Sequence, residues 1–147
     1  MAEPPRSLPQ RIADTRARLE ADEDIWVASA SPGGVPYMVP LSFWWDGTAL
    51  IIANPAKSPT SRNLEATGRT RVGLGLTRDV VIIEATVVRV EPTTELGDSF
   101  AAKAGFDPRQ DTEPYAYFRI TPQRIQAWRE ANELTGRTLM RRGAWLG

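Results

Sequence analysis

The sequence predicts a mainly β domain, a six-stranded antiparallel barrel with flanking helices. Three observations carry this. Six short runs of apolar, β-branched and aromatic residues recur between residues 25 and 128, each bounded by turn residues. Hairpin-like links join most of them, and helices are too few for the crossovers of a parallel sheet. With 147 residues, 41% of them hydrophobic, one domain spanning 1–147 can bury a core without disulfides or structural metals.

The elements follow in order. Ser7 to Asp22 reads as a helix, with Ser7 as N-cap and Leu8, Ile12, Thr15 and Leu19 at helical spacing. Residues 1–23 thus form an N-terminal helical segment. Ile25 to Ala30 is the first strand, and Ser31-Pro32-Gly33-Gly34 is a turn with residues suited to positive φ. Val35 to Trp45 is the second strand, Asp46-Gly47 a hairpin signal and Thr48 to Ala53 the third, so these three are expected to form a meander. Asn54 to Pro59 breaks the β pattern, and Thr60 to Thr67 is a short helix ending at Gly68. Arg71 to Leu76 and Val80 to Val90 are the next two strands. Thr93 to Gly105 is a helix with Leu96, Phe100 and Ala104 on one face. Pro108 to Pro114 is a polar connector, and Tyr115 to Ile120 is the sixth strand. After Thr121-Pro122, Ile125 to Trp128 continues extended. Residues 129–147 read as a polar, basic tail.

Composition narrows the chemistry. The chain has no Cys and no His, which removes thiol nucleophiles, imidazole acid–base catalysis and zinc sites built on either residue. A borrowed cofactor suits such a chain, because it brings the reactive atoms and needs only to be held and tuned. The net charge is zero, so no global field favours nucleic acid or an anionic membrane. Residues 1–11 are polar and Pro-rich and contain no apolar core of a secretory signal, and no apolar run approaches membrane-spanning length. Together with the lack of Cys, this leads to the expectation of a cytoplasmic protein.

Three segments could carry chemistry. In Asn54 to Leu64, the hydroxyls of Ser58, Thr60 and Ser61 and the cations Lys57 and Arg62 lie where a strand hands over to a helix. A helix N-terminus with hydroxyls and Arg can hold a phosphate. The same residues also read as an ordinary cap, with Ser58 at N-cap and Pro59 in the first turn. In Tyr37 to Trp45, Pro40 resists a core-strand reading and implies an edge, a bulge or a flat ligand against the strand. Trp44 and Trp45 point to opposite faces, which places at least one at an interface or pocket. In Thr121 to Trp128, Trp128 either closes a barrel end or lies as an aromatic lid over a cofactor ring.

In order, Gly34-x-Pro36, Val39-Pro40-Leu41, Asp46-Gly47, Ser58-Pro59-Thr60-x-Arg62-Asn63-Leu64, Arg78-Asp79-Val80-Val81 and Pro122-x-Arg124-x-x-Ala127-Trp128 resemble the pyridoxamine 5′-phosphate oxidase-like split barrels, and within them the flavin/deazaflavin oxidoreductase branch. The resemblance runs from about Asp24 to Trp128. It implies a split barrel, a homodimer with the cofactor between subunits, and FMN or coenzyme F420 as cofactor. It places the phosphate at Lys57, Ser58, Thr60, Ser61, Arg62 and Asn63, and the ring against Val39, Pro40, Leu41 and Trp128. Tyr37 is the one candidate acid. The Arg-Lys pair of the oxidase motif falls at Pro59 and Thr60. The His-containing Arg-Leu-His-Asp-Arg segment of the true oxidases has no counterpart in a chain without His.

The implied activity is hydride transfer between cofactor and a small organic substrate, with no nucleic-acid or membrane partner. A non-catalytic flavin carrier and a haem-handling barrel are the alternatives. Arg69 and Arg71 extend a basic track from Arg62 that would suit the acidic tail of coenzyme F420, or else form a solvated charged face.

Overall fold

The computed structural model describes residues 3–147; Met1 and Ala2, the start of the polar segment, lie outside it. The first helix, α1 (Leu8–Ala21), starts where expected: the Ser7 side chain accepts from Gln10 N. It buries Ile12, Thr15 and Leu19 and also Arg11, whose guanidinium donates to the carbonyls of Glu133 (2.9 Å) and Gly136 (3.3 Å). The strands are β1 (Asp24–Ala30), β2 (Pro36–Ser42), β3 (Trp44–Trp45), β4 (Leu50–Pro55), β5 (Arg69–Leu74), β6 (Val80–Val90), β7 (Tyr115–Trp128), β8 (Thr138–Arg141) and β9 (Ala144–Trp145). Helix α2 (Pro59–Thr67) joins β4 to β5, and α3 (Thr94–Ala104) follows β6. All pairings are antiparallel, in one curled sheet ordered β2-β1-β5-β6-β7-β4-β3, with β8 on β7 and β9 on β8. The strands number nine rather than six, the additions being the short β3, β8 and β9.

The expected meander does not form. The run Val35 to Trp45 divides at Phe43: β2 pairs with β1, whereas β3 pairs with β4. These two pieces hold opposite ends of the sheet order, with one residue between them in the chain. Phe43 is fully buried and its N–H donates to Glu23 O. Local hairpins formed as their turn residues dictate, but β5, β6 and β7 inserted between them by non-local pairing, which adjacency in sequence does not encode. The fifth element also shifts. β5 starts at Arg69 and stops at Leu74, because Gly75 turns the chain at φ 86° and leaves Leu76 exposed.

β7 runs through Thr121-Pro122 without ending. The register with β6 shifts between Glu84 and Ala85, which pair with Arg124 and Pro122, so Gln123 is the extra residue of a bulge. Proline has no N–H to give a ladder, and a bulge is where a strand accommodates it. The tail also folds. Leu139 and Met140 on β8 enter the barrel core with Ile25, Val27, Phe43, Ile52, Phe118 and Ile125. A second cluster of Ile51, Ala53, Leu96, Phe100 and Tyr117 lies under α3. Trp45 belongs to the first cluster and Trp44 packs on the second, and neither lines either of the two cavities described below.

Candidate functional site

The start of α2 is a closed polar knot. Ser58 Oγ accepts from Ser61 N (3.1 Å) and from the Asn54 amide, and donates to Ser61 Oγ (3.2 Å). Ser61 is fully buried and its Oγ donates to Pro55 O (2.8 Å). Thr60 is buried, and Asn63 donates to Ser29 Oγ (3.1 Å). These side chains therefore cap and anchor the helix. Lys57 and Arg62 are exposed and form no ion pair among the described residues, so their charge is available to an external anion.

β2 is the edge strand that Pro40 implied. Pro36 pairs with Ala30 and Pro40 with Trp26, so both share a parity with Met38 and Ser42. Bonding positions alternate in an antiparallel ladder, and the proline nitrogens must face away from β1. Two of these four outward positions therefore lack an N–H, which leaves the edge poor in donors for another strand. Tyr37 and Pro40 are exposed, Val39 is half-buried, and Leu41 packs on the barrel core.

The concave ground lies on the outer face of β1, β5, β6 and β7. One cavity of about 510 Å³ is lined by Trp26, Met38, Gly73, Ile82 and Trp128 among others. In register, Trp26, Gly73, Ile82 and Gln126 form one row, with Val80 and Trp128 in the row beside it. Trp26 and Trp128 stand three strand spacings apart, about 14 Å. A Cβ on Gly73 would meet Ile82 Cδ1 at 3.7 Å and Trp26 Cβ at 3.9 Å, so the glycine keeps the floor between them low. The Arg137 guanidinium lies 5.3 Å from the Trp128 ring centroid, a cation–π contact that steadies that wall.

A second cavity of about 600 Å³ adjoins the first and shares Ala28 and Arg71 with it. Ser29, Thr67, Arg69, Thr70, Glu84, Thr86 and Gln123 contribute polar groups to a lining that also holds Ala30 and Ala85. Glu84 bridges Arg71 (3.0 Å) and Arg124 (3.1 Å) in one cross-strand row. Arg69 forms no ion pair among the described residues. The basic track thus continues in part: Arg69 and Arg71 line one cavity, and Arg62 does not reach it.

Of the residues expected at a site, the structure brings Trp128 to the aromatic cavity, which Met38, the chain neighbour of Val39, also lines. Lys57, Ser58, Thr60, Ser61, Arg62 and Asn63, and with them Tyr37, Val39, Pro40 and Leu41, line neither cavity. Trp26, Gly73, Ile82 and Glu84 were missed. Trp26 had a signal, since Ile25 and Val27 point inward and the residue between them must point out.

Behind Trp128 lies a charged network. Glu133 is buried and accepts from Arg6 N (2.8 Å), Arg6 Nη2 (2.8 Å), Arg6 Nε (3.0 Å) and Arg129 N (2.9 Å). The Arg6 side-chain bonds outweigh burial and hold its carboxyl at about 2. No group of three or more His, Cys, Asp or Glu among the described residues could hold a metal ion, and no helix among them is long and apolar enough to cross a membrane.

Residues 13–129 match the family model described as pyridoxamine 5′-phosphate oxidase. Solved structures share the fold. One described as an F420 reductase has a TM-score of 0.63 and 19% identity, covering 75% of this chain and 94% of its own. An FAD-binding protein from Mesorhizobium loti has a TM-score of 0.63 and 17% identity, covering 78% and 89%. The haem-storage protein HutZ from Vibrio cholerae has a TM-score of 0.63 and 17% identity, covering 78% and 92%. No curated protein sequence matches the chain.

Proposed function

Because this chain belongs to the pyridoxamine 5′-phosphate oxidase family, we propose that it binds FMN or coenzyme F420 as a homodimer and is an oxidoreductase acting on a small organic substrate. The observation that carries this is the pair of adjoining cavities sharing Ala28 and Arg71, one aromatic and one that adds Arg69, which has no ion pair among the described residues. A planar ring with an anionic arm has that pair of chemistries. The low floor at Gly73 between Trp26 and Ile82 fits a flat ring, which a side chain there would lift. Trp26, Met38 and Trp128 hold the ring, and Arg69 and Arg71 attract the acidic arm. Lys57 and Arg62 supply further charge to the phosphate at the start of α2, with Ser58 as cap. When bound, the cofactor supplies hydride transfer; the protein's part is to position it and exclude water.

The dimer completes the site. Tyr37, Val39 and Pro40 line no cavity within one chain, and the donor-poor edge of β2 disfavours extension of the sheet into a second copy. A second copy therefore docks by a face, bringing its edge strand to the aromatic cavity. The carrier reading retains one supporting observation: Ser58 and Ser61 are engaged within the α2 knot, and Pro59 and Thr60 stand where the basic pair of the oxidases falls.

Titration of ligand-free protein with FMN, riboflavin and coenzyme F420, followed by fluorescence quenching, tests the reading. Tighter binding of FMN than of phosphate-free riboflavin is expected, with a dimer by sedimentation at micromolar concentration. Binding without turnover of any substrate would favour the carrier. No binding of any of the three would refute the proposal.

A further inference from the structure

The turn between β5 and β6, residues 75–79, forms a wall of the aromatic cavity. Gly75 and Thr77 line it, with Leu74 and Val80 on either side. The turn has little hold of its own. Leu76, Thr77 and Arg78 are exposed, and one hydrogen bond, Asp79 N to Leu76 O at 2.9 Å, closes it. Its anchorage comes from a distant element. Arg18 on α1 donates to Asp79 O (2.6 Å), and its Nη1 lies 3.3 Å from the Asp79 carboxylate. Its guanidinium fills the space above Gly75, where a Cβ would overlap it. The glycine is thus required twice, for φ 86° and for the room it leaves Arg18.

Asp79 also holds the neighbouring wall at Trp128. Arg129 Nε lies 3.4 Å from the same carboxylate oxygen, and Arg129 follows Trp128 in the chain. Arg6 Nη2 stands 3.9 Å from that oxygen and is itself held by Glu133. Val80 pairs with Trp128 across β6 and β7. One carboxylate therefore ties the β5–β6 turn, α1, the N-terminal segment and the Trp128 strand end together. The geometry points to Arg18 and Asp79 as positioning residues for the aromatic cavity: they fix the turn against Trp128 and so set the width available to a bound ring. This rests on the reading that the ring occupies this cavity.

The test uses the full chain carrying Arg18→Ala, Arg18→Lys or Gly75→Ala. Three quantities are read: the unfolding midpoint without ligand, the FMN dissociation constant, and acrylamide quenching of Trp128. The last is isolated by comparing each variant with the same variant carrying Trp128→Phe. Arg18→Ala and Gly75→Ala are expected to raise the dissociation constant about tenfold, the scale of one charge-assisted hydrogen bond. Both should also make Trp128 more accessible to quencher. Arg18→Lys keeps a donor for Asp79 O and should recover most of the affinity. Should Arg18→Ala fail to fold, Asp79→Asn, which keeps that carbonyl, gives the same readout.

A lowered midpoint with unchanged affinity and unchanged Trp128 quenching would overturn the inference and leave Arg18 a stabilising contact only. If wild type binds neither FMN nor coenzyme F420 while Arg18→Ala still exposes Trp128, the ligand reading falls and the latch stands.

Discussion

Glu133 offers the sharpest test of how the C-terminal segment is held. Its carboxylate is 3% exposed, and its two oxygens accept four hydrogen bonds, three from Arg6 and one from Arg129 N. The fold holds this carboxyl at about 2 instead of its ordinary 4.5, chiefly through the Arg6 side chain and against the cost of burial. The folded value lies below the unfolded one. The stabilisation is therefore complete above about pH 4.5 and is lost as pH falls through about 2. At about 1.4 kcal/mol per pH unit, the carboxylate contributes about 3 kcal/mol at neutral pH.

Glu133→Gln keeps the shape and removes the charge. Urea unfolding at pH 7 should show a loss of about 3 kcal/mol, in line with breaking one side of a buried pair. The midpoint of thermal unfolding should drop by about 9 °C. At pH 3 the gap between wild type and variant should shrink to about half, because the unfolded chain's Glu133 is by then protonated while the folded carboxylate is still ionised. A gap below about 1 kcal/mol at pH 7, or one equal at pH 3 and pH 7, would refute the reasoning.

Three further outcomes are expected. Leu139→Ala should cost about 2–5 kcal/mol of unfolding free energy, because β8 completes the barrel core; a near-neutral result would return residues 129–147 to the status of a tail. Arg62→Ala should weaken FMN binding by about 1.5–3 kcal/mol while leaving ligand-free thermal stability unchanged, since Arg62 is exposed and has no ion pair among the described residues; the reverse pattern would make it structural. Affinity for coenzyme F420 should fall more steeply with salt than affinity for FMN, and Arg69→Ala with Arg71→Ala should flatten the difference, as titrations at low and high ionic strength will show. Equal slopes for both cofactors would remove Arg69 and Arg71 from the acidic arm.

What the sequence determined by itself is local. Ser7, Ser58 and Thr93 cap the three helices as their hydroxyls require, and Gly68 and Gly105 end two of them at positive φ. Alternation along residues 24–30 and 80–90 set the inward faces, and Pro40 restricted its strand to an edge, a bulge or a ligand-facing place, of which the sheet order makes it the edge. The ordered motifs from Gly34 to Trp128 sufficed for the family. Each of these depends on interactions within a few residues, or on a pattern along one strand.

Only the tertiary structure decided the rest. That Phe43 divides one apolar run into two strands at opposite ends of the sheet depends on β5, β6 and β7 pairing between them. That the basic-looking tail supplies core residues depends on β7 being long enough to carry β8 beyond the bulge at Gln123. The aromatic cavity joins Trp26, Gly73, Ile82 and Trp128 from four strands, and Arg18 finds Asp79 across 61 residues of chain. Register and sheet order bring such residues together, and both are fixed by the summed burial of whole strand faces, which no local stretch of sequence specifies.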